Sequence, residues 1–521
     1  MSQSCRLPPS SIKHVCWRAI TPSVAIGSPL WLTTSTTLTM DHSAFATTRA
    51  STTRTVIHDL PAEIILSVFS HIVTNDIFHG SSHVAPAIVI SSQVCSRWRS
   101  IALSHSQCWS NVDICARYWS KLFAERAGGQ ALSLIARRPV SSEQMQLFEP
   151  YLARVRGLVL GSSAGGGKRS NAESAPNLLS PSATPLLESL HLEDQPQYEY
   201  HATAPPSLRR LILRDGCHIS PLFPILNSTL VHLELSRCHS VEAAGSDVVH
   251  AILLGLPHLQ TLVLDYARKS HVASPSALQA RPATLPRLHR LHIRDTLSNL
   301  VRRLQLLDIP SEAQITVASE EPVSIATLGA VAALTNFLSG HTSAVSHTLT
   351  VDAPTPGTCT GRIALSYQSC QGGRELSRME LATGAGHAPM PCILRKLLGS
   401  GQLHVHDLHV SHGHFFAPCA WTDLHRLTPD AMRITAIGQA NIVNGLLQVL
   451  HDGAYAGMNK LTVANVVLGS QAGLDMTAWA NVRAKRASLD MQLEACVARA
   501  EPLLIRCGDL AYSDACWRGL S

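Results

Sequence analysis

Apolar positions keep a four-residue rhythm early in this chain and a shorter one later. In "HDLPAEIILSVFSHIV", His58 to Val73, the residues Leu60, Ile64, Val68 and Ile72 recur every four positions, with Ile65 and Phe69 beside them. That stripe predicts an amphipathic helix. Pro61 suits its first position, where a missing N–H goes unnoticed. Glu63 meets the positive end of the helix dipole. Residues 74–90, with His, Gly, Ser and Pro, read as a loop. A second helix is expected over Ile90 to Leu103, with Val94, Trp98, Ile101 and Ala102 on one face and Arg97 and Arg99 flanking it. Trp109 follows a polar turn, so Leu60, Ile64, Val94, Trp98 and Trp109 can cluster.

Further on, the pattern apolar, two variable, apolar, one variable, apolar recurs. It reads "LESLHL" from Leu187, "LRRLIL" from Leu208, "LVHLEL" from Leu230, "LQTLVL" from Leu259 and "LHRLHI" from Leu288. The steps are 21, 22, 29 and 29 residues, and "VRGLVL" from Val155 is an earlier copy. Periods and signature of this kind indicate leucine-rich repeats, each a strand and a return, which share a core only when stacked. Cys238 stands where Asn or Cys closes the turn onto the backbone. The uneven steps predict an irregular horseshoe.

Strand alternation assigns the faces. Leu190 and Leu192 point inward, so Ser189, His191 and Glu193 point to the open face. The same logic exposes Arg210, Ile212 and Arg214; His232, Glu234 and Ser236; Thr261, Val263 and Asp265; Arg290, His292 and Arg294. From about residue 320 the motif weakens. "SIATLGAVAALTNFL" reads as a helix; "HTLTV", "LHVHDLHV", "MRITAI" and "NKLTVANVVL" read as strands. "LDMQLEACVARA" reads as a helical stripe, "PLLIRC" as a strand, and "SDACWRGL" as a last helix capping the solenoid.

The early segment carries a more particular wording. "LPAEIILSVFSHI", then "SQVCSRWRSIAL", then Trp109, resembles the F-box family. Leu60, Pro61, Glu63 and Ile64 match its opening, and Val94, Cys95, Arg97, Trp98, Arg99 and Leu103 its second segment. The wording is nearest to F-box proteins of mushroom-forming fungi. The resemblance implies a helical module that docks a Skp-type adaptor and through it a cullin, while the rest of the chain holds a protein substrate. Leu60, Pro61, Ile64, Val94 and Trp98 are the implied adaptor-binding residues. "TMDHSAFATTRASTTRTV" just upstream has no heptads, so no coiled-coil contact is expected there.

Composition narrows the classes. The 521 residues are 45% hydrophobic and 15% charged, enough apolar material for a large core. A net charge of +6 is small for this length and argues against nucleic acid. Fourteen cysteines stand singly with no C-x-x-C pair. No zinc ladder is expected, and reduced thiols in cytoplasm or nucleus are the simpler reading. Residues 19–40 lack charge but hold nine Ser or Thr and two Pro, a poor membrane span. Acid-free, Ser-rich residues 1–40 also carry a transit-peptide bias, outweighed by a disordered-leader reading.

Three other motifs were weighed. Gly161 to Gly165 spells G-x-S-x-G, but a Gly-, Ser- and Pro-rich stretch follows where a nucleophile elbow needs a helix. Gly167-Lys168 fails a phosphate loop at Ser162 and Arg169. His404, His406, His409, His412 and His414 fix no ligand set and read as a solvated strand face.

The expected fold is α/β: a small all-α F-box bundle followed by an irregular leucine-rich-repeat solenoid. The expected organisation is a disordered leader at 1–55, the F-box at 56–112, a helical linker at 113–150 and the solenoid at 151–521, with a loop at 161–185. The expected function is substrate recognition for a cullin–RING ubiquitin ligase, without catalysis, cofactor, metal, nucleic acid or membrane. His191, Arg210, Arg214, His232, Glu234, Arg290 and Arg294 are the candidate substrate contacts. The alternatives are an F-box scaffold outside ubiquitination and a serine hydrolase using Ser163.

Overall fold

The computed structural model describes residues 60–498, apart from 80–85, 139, 141, 162–181, 194–204, 218–225, 227, 239–245, 267–280, 342–345, 353–359, 369–374, 385–389, 399–402, 412–417, 439, 469–473 and 495. The leader, Ser163, His412, His414, "PLLIRC" and the expected capping helix lie outside the described residues.

The first helix, α1 (Ala62–His79), begins where Pro61 accepts from the amides of Ile64 and Ile65, and it runs six residues past the expected end. The expected second helix is two: α2 (Ala87–Ser91) and α3 (Ser96–Ser104). Ser91 and Ser92 favour turns over helix interiors. Cys95 is fully extended there, and its Sγ caps α3 by accepting from the Trp98 amide at 3.4 Å. A short 3-10 turn, Ser106–Trp109, and α4 (Arg117–Arg126) complete the module. Phe69 meets Trp98 edge-on at 5.3 Å, and Trp109 meets Phe123 edge-on at 4.9 Å.

The strands are β1 (Asn111–Asp113), β2 (Leu132–Ala136), β3 (Val155–Gly161), β4 (Ser189–Glu193), β5 (Arg210–Arg214), β6 (His232–Ser236), β7 (Thr261–Asp265), β8 (Ala283–Thr284), β9 (Arg290–Asp295), β10 (Leu307–Asp308), β11 (Gln314–Pro322), β12 (Ser346–Asp352), β13 (Thr360–Gln368), β14 (Glu375–Gly384), β15 (Val405–Ser411), β16 (Arg433–Ile437), β17 (Lys460–Ala464), β18 (Val467–Leu468), β19 (Asp490–Glu494) and β20 (Val497–Ala498). Sixteen of them form one sheet, in the order β1-β2-β3-β4-β5-β6-β7-β9-β11-β14-β13-β12-β15-β16-β17-β19. Every neighbouring pair is parallel except the two that involve β13.

That sheet runs across the expected boundaries. It begins inside the helical module, at β1, and β2 lies in the stretch expected to be a helical linker. From β3 to β11 the strands stack with no slip in register. Leu158, Leu190, Leu211, Leu233, Leu262, Leu291 and Ile315 form one buried ladder; Leu160, Leu192, Leu213, Leu235, Leu264, Ile293 and Val317 form the next. A one-residue slip would put a ladder on the other face, so burial holds the register.

A tight turn precedes many strands. The amide of Leu187 donates to Thr184, Leu208 to Pro205, Leu259 to Leu256 and Leu288 to Leu285. The same turn returns where Ala431 donates to Thr428 and Met458 to Tyr455. It exposes degenerate copies of the motif: Ala431, Ile434 and Ala436, then Met458, Leu461 and Val463, all buried. Ala and Met in place of Leu hid these copies in the sequence.

The cysteine reading extends beyond Cys238. Its Sγ donates to the Leu213 carbonyl at 3.5 Å, Cys217 donates to Leu192 at 3.4 Å, and Cys496 to Val463 at 3.7 Å. The helix expected over "LDMQLEACVARA" is strands β19 and β20. Leu489, Leu493 and Cys496 fit a helical stripe, but Leu489, Met491 and Leu493 also alternate. Parallel pairing with β17 decides for the strand by satisfying the backbone. The segment β12-β13-β14 enters the sheet in reversed order, which no pattern in the chain announced.

Candidate functional site

Two surfaces stand out, one on the helical module and one on the sheet. On α1, Ile65 and Phe69 are fully buried, and Leu66 and Ile72 pack at the edge of that core. A second stripe of the same helix faces outward: Pro61 is exposed, Ile64 is 49% exposed, and Val68, one turn on, 38%. Val94, in the turn before α3, is 56% exposed. The Arg97 guanidinium donates to the Leu60 carbonyl at 2.8 Å and so ties the start of α1 to the first turn of α3. Leu60 itself is half-buried against the core.

Trp98 does not share this surface. It is 8% exposed and packed on Phe69, so it contributes to the core, apart from the exposed residues expected to meet an adaptor. A module this small spends its largest ring on its own interior. Val68 was missed as an exposed residue. The four-residue spacing placed it with the core stripe, but Ile65 and Phe69 fill that side, leaving Ile64 and Val68 outside.

The second surface is the sheet face opposite the leucine ladders. Its side chains lie in rows fixed by the register. The first row is Ser189, Arg210, His232, Thr261 and Arg290; the second His191, Ile212, Glu234, Val263 and His292; the third Glu193, Arg214, Ser236, Asp265 and Arg294. All seven candidate substrate contacts fall on this face. Arg210 and Arg290 are exposed, and Arg214, His232 and Arg294 are partly so. His191 and Glu234 are buried, as are Ile212 and Ser236, against the expectation that alternation exposes them. In-register strands stand under 5 Å apart, so side chains of neighbouring strands cover the middle of the face.

Glu234 is the centre of a small network. It accepts from Arg214 Nε at 2.7 Å and from Ser236 Oγ at 3.3 Å, with His232 Nε2 at 4.0 Å. Burial alone would raise its carboxyl, but the nearby His232 imidazole and the Arg214 hydrogen bond and charge hold it down to about 2. His191 is pulled down to about 4, first by burial and then by the Arg214 charge. Its Nε2 has no hydrogen-bond partner among the described residues.

These shifts set a pH window. The folded His191 imidazole titrates below its ordinary 6.5, so the unfolded chain takes up the proton first as pH falls. The stability held by neutral His191 is whole above about pH 6.5 and is lost as pH falls from there toward 4, by roughly 3 kcal/mol at most. Glu234, depressed in the folded chain, keeps its contribution until pH falls from 4.5 toward 2. Urea midpoints at pH 7 and pH 4.5 should therefore differ less for His191→Gln than for the parent. An unchanged difference would remove His191 from this role.

The histidines near residue 404 hold structure. His404 Nδ1 meets Asp430 at 2.8 Å, and His347 and His406 both reach the His404 carbonyl. Among the described residues, no group of three or more His, Cys, Asp or Glu is placed to hold a metal ion. No described helix is long and apolar enough to cross a membrane.

Helices whose apolar edge the described residues leave uncovered are thus built onto one long, mostly parallel sheet. Residues 57–115 match the family described as F-box-like, and they form an F-box-like domain. Members of that family generally bind Skp-type adaptors and are typically adaptors without catalytic activity. No curated protein matches the chain.

Proposed function

We propose that this chain is a substrate-recognition adaptor of a cullin–RING ubiquitin ligase, working inside the cell. The F-box-like domain docks a Skp-type adaptor, and the sheet, read as an irregular leucine-rich-repeat solenoid running through β19, holds a protein substrate. The observation that carries the reading is the outward stripe Pro61, Ile64 and Val68, with exposed Val94 in the turn before α3, apolar positions that the described residues leave uncovered. A partner helix laid along it would bury that edge, a common mode of recognition. The repeating turn and the unslipped ladders support the solenoid.

Ile64→Asp tests the docking role. Its side chain is half out of the protein, so folding should change by no more than about 0.5 kcal/mol. Affinity for a purified Skp-type adaptor should fall at least about thirtyfold, as for loss of a central apolar anchor. Calorimetric titration reads both the affinity and, with a melt, the fold. Equal adaptor affinity in parent and variant would place the interface elsewhere.

A further inference from the structure

The three rows of the sheet face differ in charge. In the third row, Glu193 stands next to Arg214 and Asp265 next to Arg294, so opposite charges alternate. In the second row, Glu234 is held by Arg214 of the third. The first row has no acid at all: Ser189, Arg210, His232, Thr261, Arg290 and, next along, Gln314. Its two arginines are exposed, and among the described residues neither guanidinium makes a hydrogen bond or an ion pair. The three acids of strands β4 to β9 on this face, Glu193, Glu234 and Asp265, therefore stand in the other two rows and not in the row of Arg210 and Arg290.

Spacing says what fits. Arg210 on β5 and Arg290 on β9 are three strands apart, about 14 Å at the backbone. In an extended peptide, residues i and i+4 point the same way and also stand about 14 Å apart. Each guanidinium is single, with no acid among its row neighbours Ser189, His232, Thr261 and Gln314, so each matches one carboxylate bidentately. A phosphate dianion would leave excess negative charge against one arginine. We infer that Arg210 and Arg290 take two carboxylates, four residues apart, of an extended acidic segment laid across strands β5 to β9. This names the substrate class and rests on the substrate-receptor reading above.

The test uses the full-length chain and short fluorescein-labelled Ser/Gly peptides, read by anisotropy at low salt. A peptide with two Glu four apart should bind at least about tenfold tighter than one with the Glu adjacent, or one with Gln, each charge-assisted pair being worth about that much. Binding should weaken as salt is added. Arg210→Gln and Arg290→Gln should each lose about tenfold with unchanged melting temperature. The double variant Arg210→Glu, Arg290→Glu should prefer the peptide with Lys at those two places. Equal binding of the Glu and Gln peptides, or no loss in either single variant, overturns the inference. Preference for a phosphoserine version over the Glu peptide overturns its carboxylate part. Adaptor binding is measured on the same samples: if it persists while the peptides fail, only this inference falls, and if it fails while they bind, only the ligase reading falls.

Discussion

Trp109→Ala should destabilise the helical module by about 3–5 kcal/mol, the range for deleting a buried large aromatic. Trp109 is 0% exposed. Its ring is met edge-on by Phe123 and covered by the Arg126 guanidinium at 4.4 Å, while its Nε1 donates to the Ala102 carbonyl at 2.7 Å. It thus joins α3, the 3-10 turn and α4 at the point where the sheet begins. Alanine removes the packing on two sides and leaves the Ala102 carbonyl without its indole donor. Trp109→Phe keeps most of the area and loses the hydrogen bond, so its cost should be only about 1–3 kcal/mol. The loss should be local, because the first strand pairs with β2 alone. Hydrogen exchange should therefore quicken across residues 62–109 and stay slow in strands β5 to β9. Slow exchange throughout in Trp109→Ala would show that the ring is not the keystone of the module.

Arg303→Leu should cost about 3–5 kcal/mol, as for breaking a buried ion pair by removing one partner. The Asp295 side chain is 1% exposed and takes the Arg303 Nε at 2.8 Å through one oxygen. Its other oxygen accepts from the Thr296 amide and from Asn299 Nδ2, at the start of the helix Leu297–Gln305. The same guanidinium lies 4.0 Å over the buried Tyr266 ring. Leucine leaves the buried carboxylate without the Arg303 counter-charge, whereas the pair together joins β7, β9 and the helix. Adding Asp295→Asn to Arg303→Leu should recover most of the loss, since the amide oxygen can still accept from Thr296 and Asn299 and no charge is stranded. The check is a urea midpoint for the three variants. A double variant no more stable than Arg303→Leu would assign the cost to lost packing on Tyr266 instead.

How far the chain could be read without coordinates depended on how local each constraint is. The Leu-x-x-Leu-x-Leu copies between Leu187 and Ile293 were legible because every ladder position is leucine or isoleucine. Past residue 320 the same positions take Ala431, Ile434 and Met458, which satisfy the space but not the letter of the motif. Only the repeated backbone turn reveals them. The outward face was legible in direction, but not in burial: alternation says which way His191 and Glu234 point and nothing about the neighbours that cover them.

The amino-acid sequence alone determined the early helix stripe, the family likeness of residues 57–115 and the parity of the first ladders, because each rests on periods of two to four residues within one element. Tertiary structure alone decided that Val68 stays outside and that the sheet starts inside the helical module. It also decided the reversed entry of β12-β13-β14 and the strand at Asp490–Glu494. These depend on which backbone finds which partner across dozens of residues. No local period encodes that choice; the satisfaction of hydrogen bonds and the burial of the ladders do.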